Sequence, residues 1–286
     1  MRTTLFKKAL TWFFLILVIV IFLFPLYYNI TTSLKKEADV ATSPPKWVFT
    51  PTPINYQQIL IPGFVSDELT MTLSGGNLLQ NLKNSIIICF SSVALSVFVG
   101  VFAAYSLARL KFRRKEDVAF WIISIRMMPP IAAIIPFFLL AKTFQLYDTY
   151  QLMIMVYIII NLPMAVWIMR GFFQDVPLAI EESAMVDGCS RAQAFFRVVL
   201  PLVSPGLVAT TIICLIFSWN EFFMAFTLTG RTTQTLSVAV SAFMTPWGIQ
   251  WGPLAAANTI IIAPIIVIAV AIQKYLVRGL TFGAIK

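Results

Sequence analysis

Histidine is absent from the 286-residue chain. With it go imidazole metal ligands, imidazole general bases and Ser-His-Asp triads. Cysteine is scarce, limited to Cys89, Cys189 and Cys214. Two of these fall in apolar runs and the third in a charged segment, so no disulfide framework is expected and packing is their role. Charged residues make up only 12% of the chain against 59% apolar, whereas a soluble domain carries roughly 25% charged and 45–50% apolar residues. A water-soluble fold with that balance would expose aggregating surface; lipid instead solvates outward-facing apolar side chains. No GxxxxGK(S/T) phosphate loop occurs, so ATP has no usual site here. No GxSxG or paired-carboxylate set is present either. We expect no catalytic residue and no metal site.

The chain is rich in long apolar runs. A span needs about 20 residues, because ~30 Å of hydrocarbon is crossed at 1.5 Å per residue. Six runs qualify: Leu10–Ile30, Leu82–Leu107, Val118–Leu140, Tyr150–Met169, Pro205–Leu228 and Ala257–Tyr275. The first exceeds a signal-peptide core of about 7–15 residues and no A-x-A site follows, so it reads as a retained span. Residues 31–80 carry Pro44, Pro45, Pro51, Pro53, Pro62, Gly75 and Gly76, the turn chemistry of a long outer loop with room for a short helix.

The net charge of +9 does not point to nucleic acid, because the basic residues sit in short segments between apolar runs. Arg2, Lys7 and Lys8 precede the first span, Arg109 to Lys115 follow the second, Arg170, Arg191 and Arg197 follow the fourth, and Lys274, Arg278 and Lys286 end the chain. The opposite side has fewer. By the positive-inside rule both termini are expected in the cytoplasm, and six spans satisfy that parity. Two runs also carry small residues every fourth position: Ser92, Ser96, Gly100, Ala104, Ala108, and Gly206, Thr210, Cys214, Ser218. Such stripes let helix backbones approach closely.

Between the fourth and fifth spans, residues 175–201 read as helix, turn, helix. Pro177 suits a first turn, Gly188 can take the left-handed conformation that ends a helix, and Ser190 with Gln193 has capping-box spacing. Glu182, Ala184, Gly188, Val198, Leu200 and Pro201 fall where ABC-importer permeases carry their E-A-A, Gly and I-x-L-P signature, and Asp187 and Phe195 also match. Ser183 replaces the middle alanine, small for small. Trp219-Asn220-Glu221-Phe222 and the tail Val277–Lys286 resemble the carbohydrate branch of that family. Over essentially its whole length the chain is similar to the smaller maltose-type permease subunit.

The resemblance implies an all-α polytopic membrane bundle of about six transmembrane helices, with the type I ABC importer permease fold. It divides the chain into a first helix and outer loop (1–75), a permease core (76–273) with a coupling hairpin at 175–201, and a cytoplasmic tail (274–286). It implies a bacterial inner-membrane location and a sugar or sugar-like polyol as substrate. The implied partners are a second homologous permease subunit, a dimeric cytosolic ATPase that holds the ATP and Mg, and an extracytoplasmic solute-binding protein; no cofactor is expected on this chain. The ATPase would grip the hairpin through Glu181, Glu182, Ser183, Ala184, Asp187, Gly188, Leu200 and Pro201, and meet the tail through Arg278, Thr281 and Lys286.

Substrate-pathway residues are expected where polar or helix-breaking groups enter a span. Pro129 and Pro130 interrupt the third span roughly 16 Å from its start, freeing the Ile125 and Arg126 carbonyls for a watery cavity or for neighbouring helices. Arg126 and Glu221 are ionisable groups placed within spans, which makes them site candidates. Trp219 and Asn220 beside Glu221 would offer an aromatic face and an amide to a polyhydroxyl ligand, and Asn161 is a further candidate. A proton-coupled secondary transporter is the competing reading. It calls for several buried carboxylates, of which only Glu221 is placed in a span, and it leaves the hairpin unexplained.

Overall fold

The computed structural model describes the backbone of residues 2–61, 78–246 and 248–282, and the side chains of 7–61, 78–246 and 248–270. Among these residues the fold is helical apart from β1 (Met244–Thr245) and β2 (Gly248–Ile249), a short antiparallel pair. Four helices are long and apolar enough to cross a membrane: α1 (Arg2–Ser33), α4 (Leu78–Arg109), α7 (Tyr150–Asp175) and α14 (Trp251–Phe282). Two further spans arise if each of two sharply bent helix pairs counts as one. The six expected spans thus compare with four to six candidates, the second bent pair covering 191–219 where the sequence suggested 205–228.

The chain forms two compact units, Met1–Leu79 with Ala239–Pro264, and Gln80–Val238 with Ile265–Lys286. In the first, α1 is apolar around its whole circumference from Leu10 to Tyr28 and none of that stretch is buried by protein, as befits a helix whose solvent is lipid. Beyond it lie α2 (Glu37–Val40) and α3 (Ile54–Leu60). Asn55 of α3 is buried and donates to the Ser33 and Lys35 carbonyls at 2.9 and 2.8 Å. These bonds satisfy acceptors left over where α1 ends. Asn29 donates to the Ala255 carbonyl and to Thr259 of α14.

In the second unit, α7 is the central strut, held from two sides by the small-residue stripes. On α4, a Cβ at Gly100 would lie 2.8 Å from the Ala165 Cβ, and Ser92, Ser96 and Ala104 are fully buried. On α11 (Ser204–Trp219), a Cβ at Gly206 would lie 2.3 Å from the Phe172 ring, and Ser218 meets Asn161 at 2.6 Å. Close backbone approach is what drives such packing in lipid, where apolar side chains gain nothing by leaving the solvent.

The third span departs from the expected kink. The segments α5 (Lys115–Ser124), with its 3-10 end Ile125–Met127, and α6 (Pro130–Thr143) meet at 89°. Met128 and Pro129 each precede a proline and take extended backbone, with ψ of 127° in both. A proline disfavours the helical region for its predecessor, so two in succession make an elbow. The Ile125 carbonyl is not free: it accepts from the Met128 N–H at 3.3 Å.

The fifth span departs as well. Its helix ends at Trp219, and residues 220–222 separate it from α12 (Phe223–Leu228). Asn220 and Glu221 end it because their side chains offer local hydrogen bonds that compete with the helix. The approach to α11 is also bent: Arg191–Leu202 and Ser204–Trp219 meet at 72°. Pro205 sits in the first turn of α11 and Val203 makes the bend at φ −90°, ψ 6°. The helix that holds the sixth span is longer than the expected apolar run, extending from Trp251 to Phe282.

Candidate functional site

Residues 175–201 form two short arms. The first, α8 (Leu178–Val186), starts one residue after Pro177, which occupies its N-cap position. It ends on Gly188 at φ +94°. The Gly188 N–H donates to the Met185 carbonyl at 3.1 Å, and the Cys189 N–H to the Ala184 carbonyl at 3.0 Å. This is the Schellman pattern that satisfies the last carbonyls of a helix. The second arm, α9 (Arg191–Ala194), opens on a full capping box: the Gln193 N–H donates to Ser190 Oγ, and the Ser190 N–H donates to Gln193 Oε1. It continues through a π-helical turn (Phe195–Val199) into α10 (Leu200–Leu202).

The expected hairpin residues divide between two faces. Glu182, Ser183, Asp187, Gly188 and Pro201 are exposed, Ala184 and Leu200 are half-buried, and Val186 is 87% exposed. Glu181 is the exception, 2% exposed and turned into the protein. There its carboxylate meets Arg109 Nε at 3.0 Å and accepts from the Tyr105 hydroxyl. The expectation that Glu181 faces a partner is therefore corrected: only Glu182 of the acidic pair is presented outward. Arg109, read from sequence as a topological charge, and Tyr105 are the residues that sequence reasoning missed. A signal existed, since Phe98, Phe102, Tyr105 and Arg109 share one helix face at alternating spacings of four and three.

A second feature lies where the elbow meets the break after α11. A cavity of about 440 Å³ is lined by Arg126, Met128, Pro130 and Phe137 on one side, and by Phe217, Asn220, Glu221 and Phe222 on the other. Arg126 lies over the Phe217 ring at 4.6 Å and donates to the Ile160 carbonyl at 3.1 Å. Glu221 also has local work: its carboxylate accepts from the Met224 and Ala225 N–H groups at 3.0 and 3.1 Å, capping α12, and from the Tyr157 hydroxyl at 3.3 Å. It is a side chain in a helix break, not one within a continuous helix.

The cavity thus gathers Arg126, Pro130, Asn220 and Glu221 of the expected pathway residues, while Pro129 shapes the elbow. Two others lie elsewhere. Trp219 faces an apolar crevice with Ile212, Leu215 and Ile268, because one step along a helix turns a side chain by about 100°. Asn161 is buried, donating to Tyr157 carbonyl and Ser218 Oγ, and so joins α7 to α11. The Arg278 and Thr281 side chains, and Lys286 entirely, lie outside the described residues. Among the described residues no group of His, Cys, Asp or Glu is placed to hold a metal ion.

Long apolar helices, two sharply bent pairs and a capped hairpin following a central strut make up the type I permease fold of ABC importers. The chain superposes on a bacterial ABC transporter involved in alginate import with a TM-score of 0.74, covering 96% of this chain and 98% of that one at 21% identity. The family of binding-protein-dependent transport system inner membrane components matches residues 96–282, and the chain belongs to that family. It is 34% identical to the trehalose transport system permease of Mycobacterium tuberculosis, over 86% of this chain and 93% of that protein. With the trehalose/maltose transport system permease of Thermococcus litoralis it shares 31% identity, over 100% of this chain and 99% of that protein. The protein is a multi-pass membrane permease subunit, and the proton-coupled alternative is not favoured.

Proposed function

We propose that this chain moves a sugar or sugar-like polyol across the bacterial inner membrane as one of two homologous permease subunits. An extracytoplasmic binding protein delivers the substrate, and a separate dimeric cytosolic ATPase supplies the energy and holds the ATP and Mg. The observation that carries the reading is the hairpin at 175–201. Its arms are capped by its own residues, its outer face offers Glu182, Ser183, Asp187 and the bare Val186, and its far end enters α11 through the bend at Val203. A capped element transmits force; a loose loop absorbs it. The relatives transporting trehalose or maltose supply the substrate class, and the cavity fits it. Aromatic faces from Phe217 and Phe222, a fixed carboxylate, an amide and a guanidinium can hold hydroxyl groups without pairing a full charge.

In this reading both termini and the hairpin are cytoplasmic, and the Arg278, Thr281 and Lys286 tail reaches the ATPase. Orientation is tested by thiol labelling from outside the cell, in a Cys189→Ser background where Cys89 and Cys214 are buried. Val48→Cys should label and Phe112→Cys should not; the opposite pattern reverses the topology. Coupling is tested by co-purification of the ATPase and by sugar uptake in vesicles. Gly188→Val forces a β-branched residue into the left-handed region at about 1–2 kcal/mol, and Glu182→Lys reverses the presented charge. Both should lose ATPase association or transport, while Lys111→Glu changes little. If both hairpin variants assemble and transport like the parent, the segment is not the coupling element.

A further inference from the structure

One helix, α4, is clamped at both of its ends by groups that no role above accounts for. At its C-terminal end Arg109 and Glu181 form an ion pair at 3.0 Å with side chains only 8% and 3% exposed. Arg109 Nη2 also donates to the Val176 carbonyl at 2.7 Å, the point at which α7 gives way to the hairpin. The second arm is held too, since the Phe195 ring lies 4.6 Å from Tyr105 and 5.6 Å from Phe102. One face of α4 therefore grips the root and both arms of the hairpin. Two charges removed from water are held only while they stay paired, so sliding the hairpin off α4 would leave a buried charge uncompensated and open an aromatic cluster.

At its N-terminal end Asn84 is fully buried. It donates to the Thr232 and Gln234 carbonyls at 2.9 Å each and accepts from the Tyr150 hydroxyl at 2.6 Å. Ser85 Oγ accepts from the Leu236 N–H at 2.7 Å. That loop leads directly to Ser237, whose hydroxyl donates to the Glu221 carbonyl in the helix break beside the cavity. From Asn84 to Arg109 a helix rising 1.5 Å per residue spans about 37 Å, enough to cross the bilayer.

We infer that α4 is a rod that carries hairpin movement to the loop 232–237 and thence to the Glu221 break, with Arg109 and Tyr105 positioning one end and Asn84 and Ser85 the other. The inference rests on the hairpin being the element the ATPase moves. It adds a second output to the covalent one through Val203 into α11, one that reaches the far side of the membrane.

The test uses the full complex in proteoliposomes and reads sugar taken up per ATP hydrolysed, a ratio that a merely structural role would leave alone while lowering yield. Arg109→Gln with Glu181→Gln removes both charges at nearly constant volume and strands neither, so assembly is preserved. Asn84→Ala releases the other clamp. Both are expected to co-purify with the ATPase and hydrolyse ATP, with the ratio lowered at least fivefold. A ratio within twofold of the parent at either end overturns the rod. If a variant assembles poorly, Arg109→Lys and Asn84→Ser decide on the same ratio. Gly188→Val and Glu182→Lys run alongside: if they leave ATPase association and transport intact, the coupling reading has failed, whereas their loss with parental ratios at both clamps defeats the rod alone.

Discussion

The hairpin and the cavity are both places where long helices are interrupted, yet only the cavity adds bonds to distant partners. At the hairpin turn the bonds are local: Gly188 to Met185, Cys189 to Ala184, Gln193 to Ser190 and back. At the cavity the local bonds from Met224 and Ala225 to Glu221 are joined by ones that reach across the fold, Arg126 to the Ile160 carbonyl and Tyr157 to Glu221. A locally capped element keeps its shape when it is pushed. A break held by distant partners changes shape whenever those partners move, which suits a compartment that must open and close. The same contrast separates what transmits force from what responds to it.

The largest expected effect sharpens the responsive side. Glu221→Leu removes the cap of α12 and the partner of the Tyr157 hydroxyl, and loss of a cap costs about 0.5–2 kcal/mol. Uptake should fall to background and the unfolding temperature in detergent should drop, while Glu221→Gln, which keeps one acceptor, falls between. Parental uptake by Glu221→Leu would separate the break from transport. On the transmitting side, Ser190→Ala deletes one half of the capping box at about 1 kcal/mol. It should weaken ATPase association in pull-down and leave sugar binding to the complex unchanged, because the damage is local. Loss of sugar binding would show that the two regions are not distinct in the way argued.

A third, smaller effect concerns the loop between α6 and α7. Asp148 accepts from the Thr232 and Thr233 N–H groups and the Thr233 hydroxyl at 3.1, 2.9 and 2.7 Å. Partial burial raises its pKa, but the hydrogen bonds from Thr233, Gly230 and Thr232 outweigh it and hold the carboxyl down at about 2. The folded state thus favours the ionised form. Its contribution is complete above the ordinary value of 3.8 and is lost as pH falls from there through about 2. The difference in unfolding temperature between parent and Asp148→Asn should be constant above pH 5 and vanish towards pH 2; a difference that grows on acidification would reverse the assignment. Smallest of all, Asn161→Ala removes one interhelical bond to Ser218, a loss of about 0.6 kcal/mol by analogy with measured membrane pairs. It should shift the unfolding temperature slightly and leave uptake intact. Abolished uptake would return Asn161 to the pathway.

Legibility from sequence followed the same division. Gly188, Ser190 and Gln193 were readable because their partners lie within a few residues, and the small-residue stripes were readable because their period is the helix's own. Pro129 and Pro130 marked a break, but its angle of 89° depends on what α6 packs against. That Glu221 sits in a helix break was not legible, because composition alone cannot tell a charge within a helix from a charge that ends one. Glu181 and Glu182 look equivalent as neighbours in the chain, and only a helix facing α4 makes one buried and the other exposed.

Apolar run length, small-residue period and the turn chemistry of 175–201 determined by themselves that this is a polytopic membrane protein with a capped hairpin. Each is a short-range property, set by bilayer thickness, helix geometry or hydrogen bonds a few residues long. Which polar side chains line a cavity, which carboxylate finds Arg109, and that α4 is held at both ends were decided only by the tertiary structure. Those contacts join residues 34 to 151 positions apart, and burial selects among polar groups only after packing has placed them.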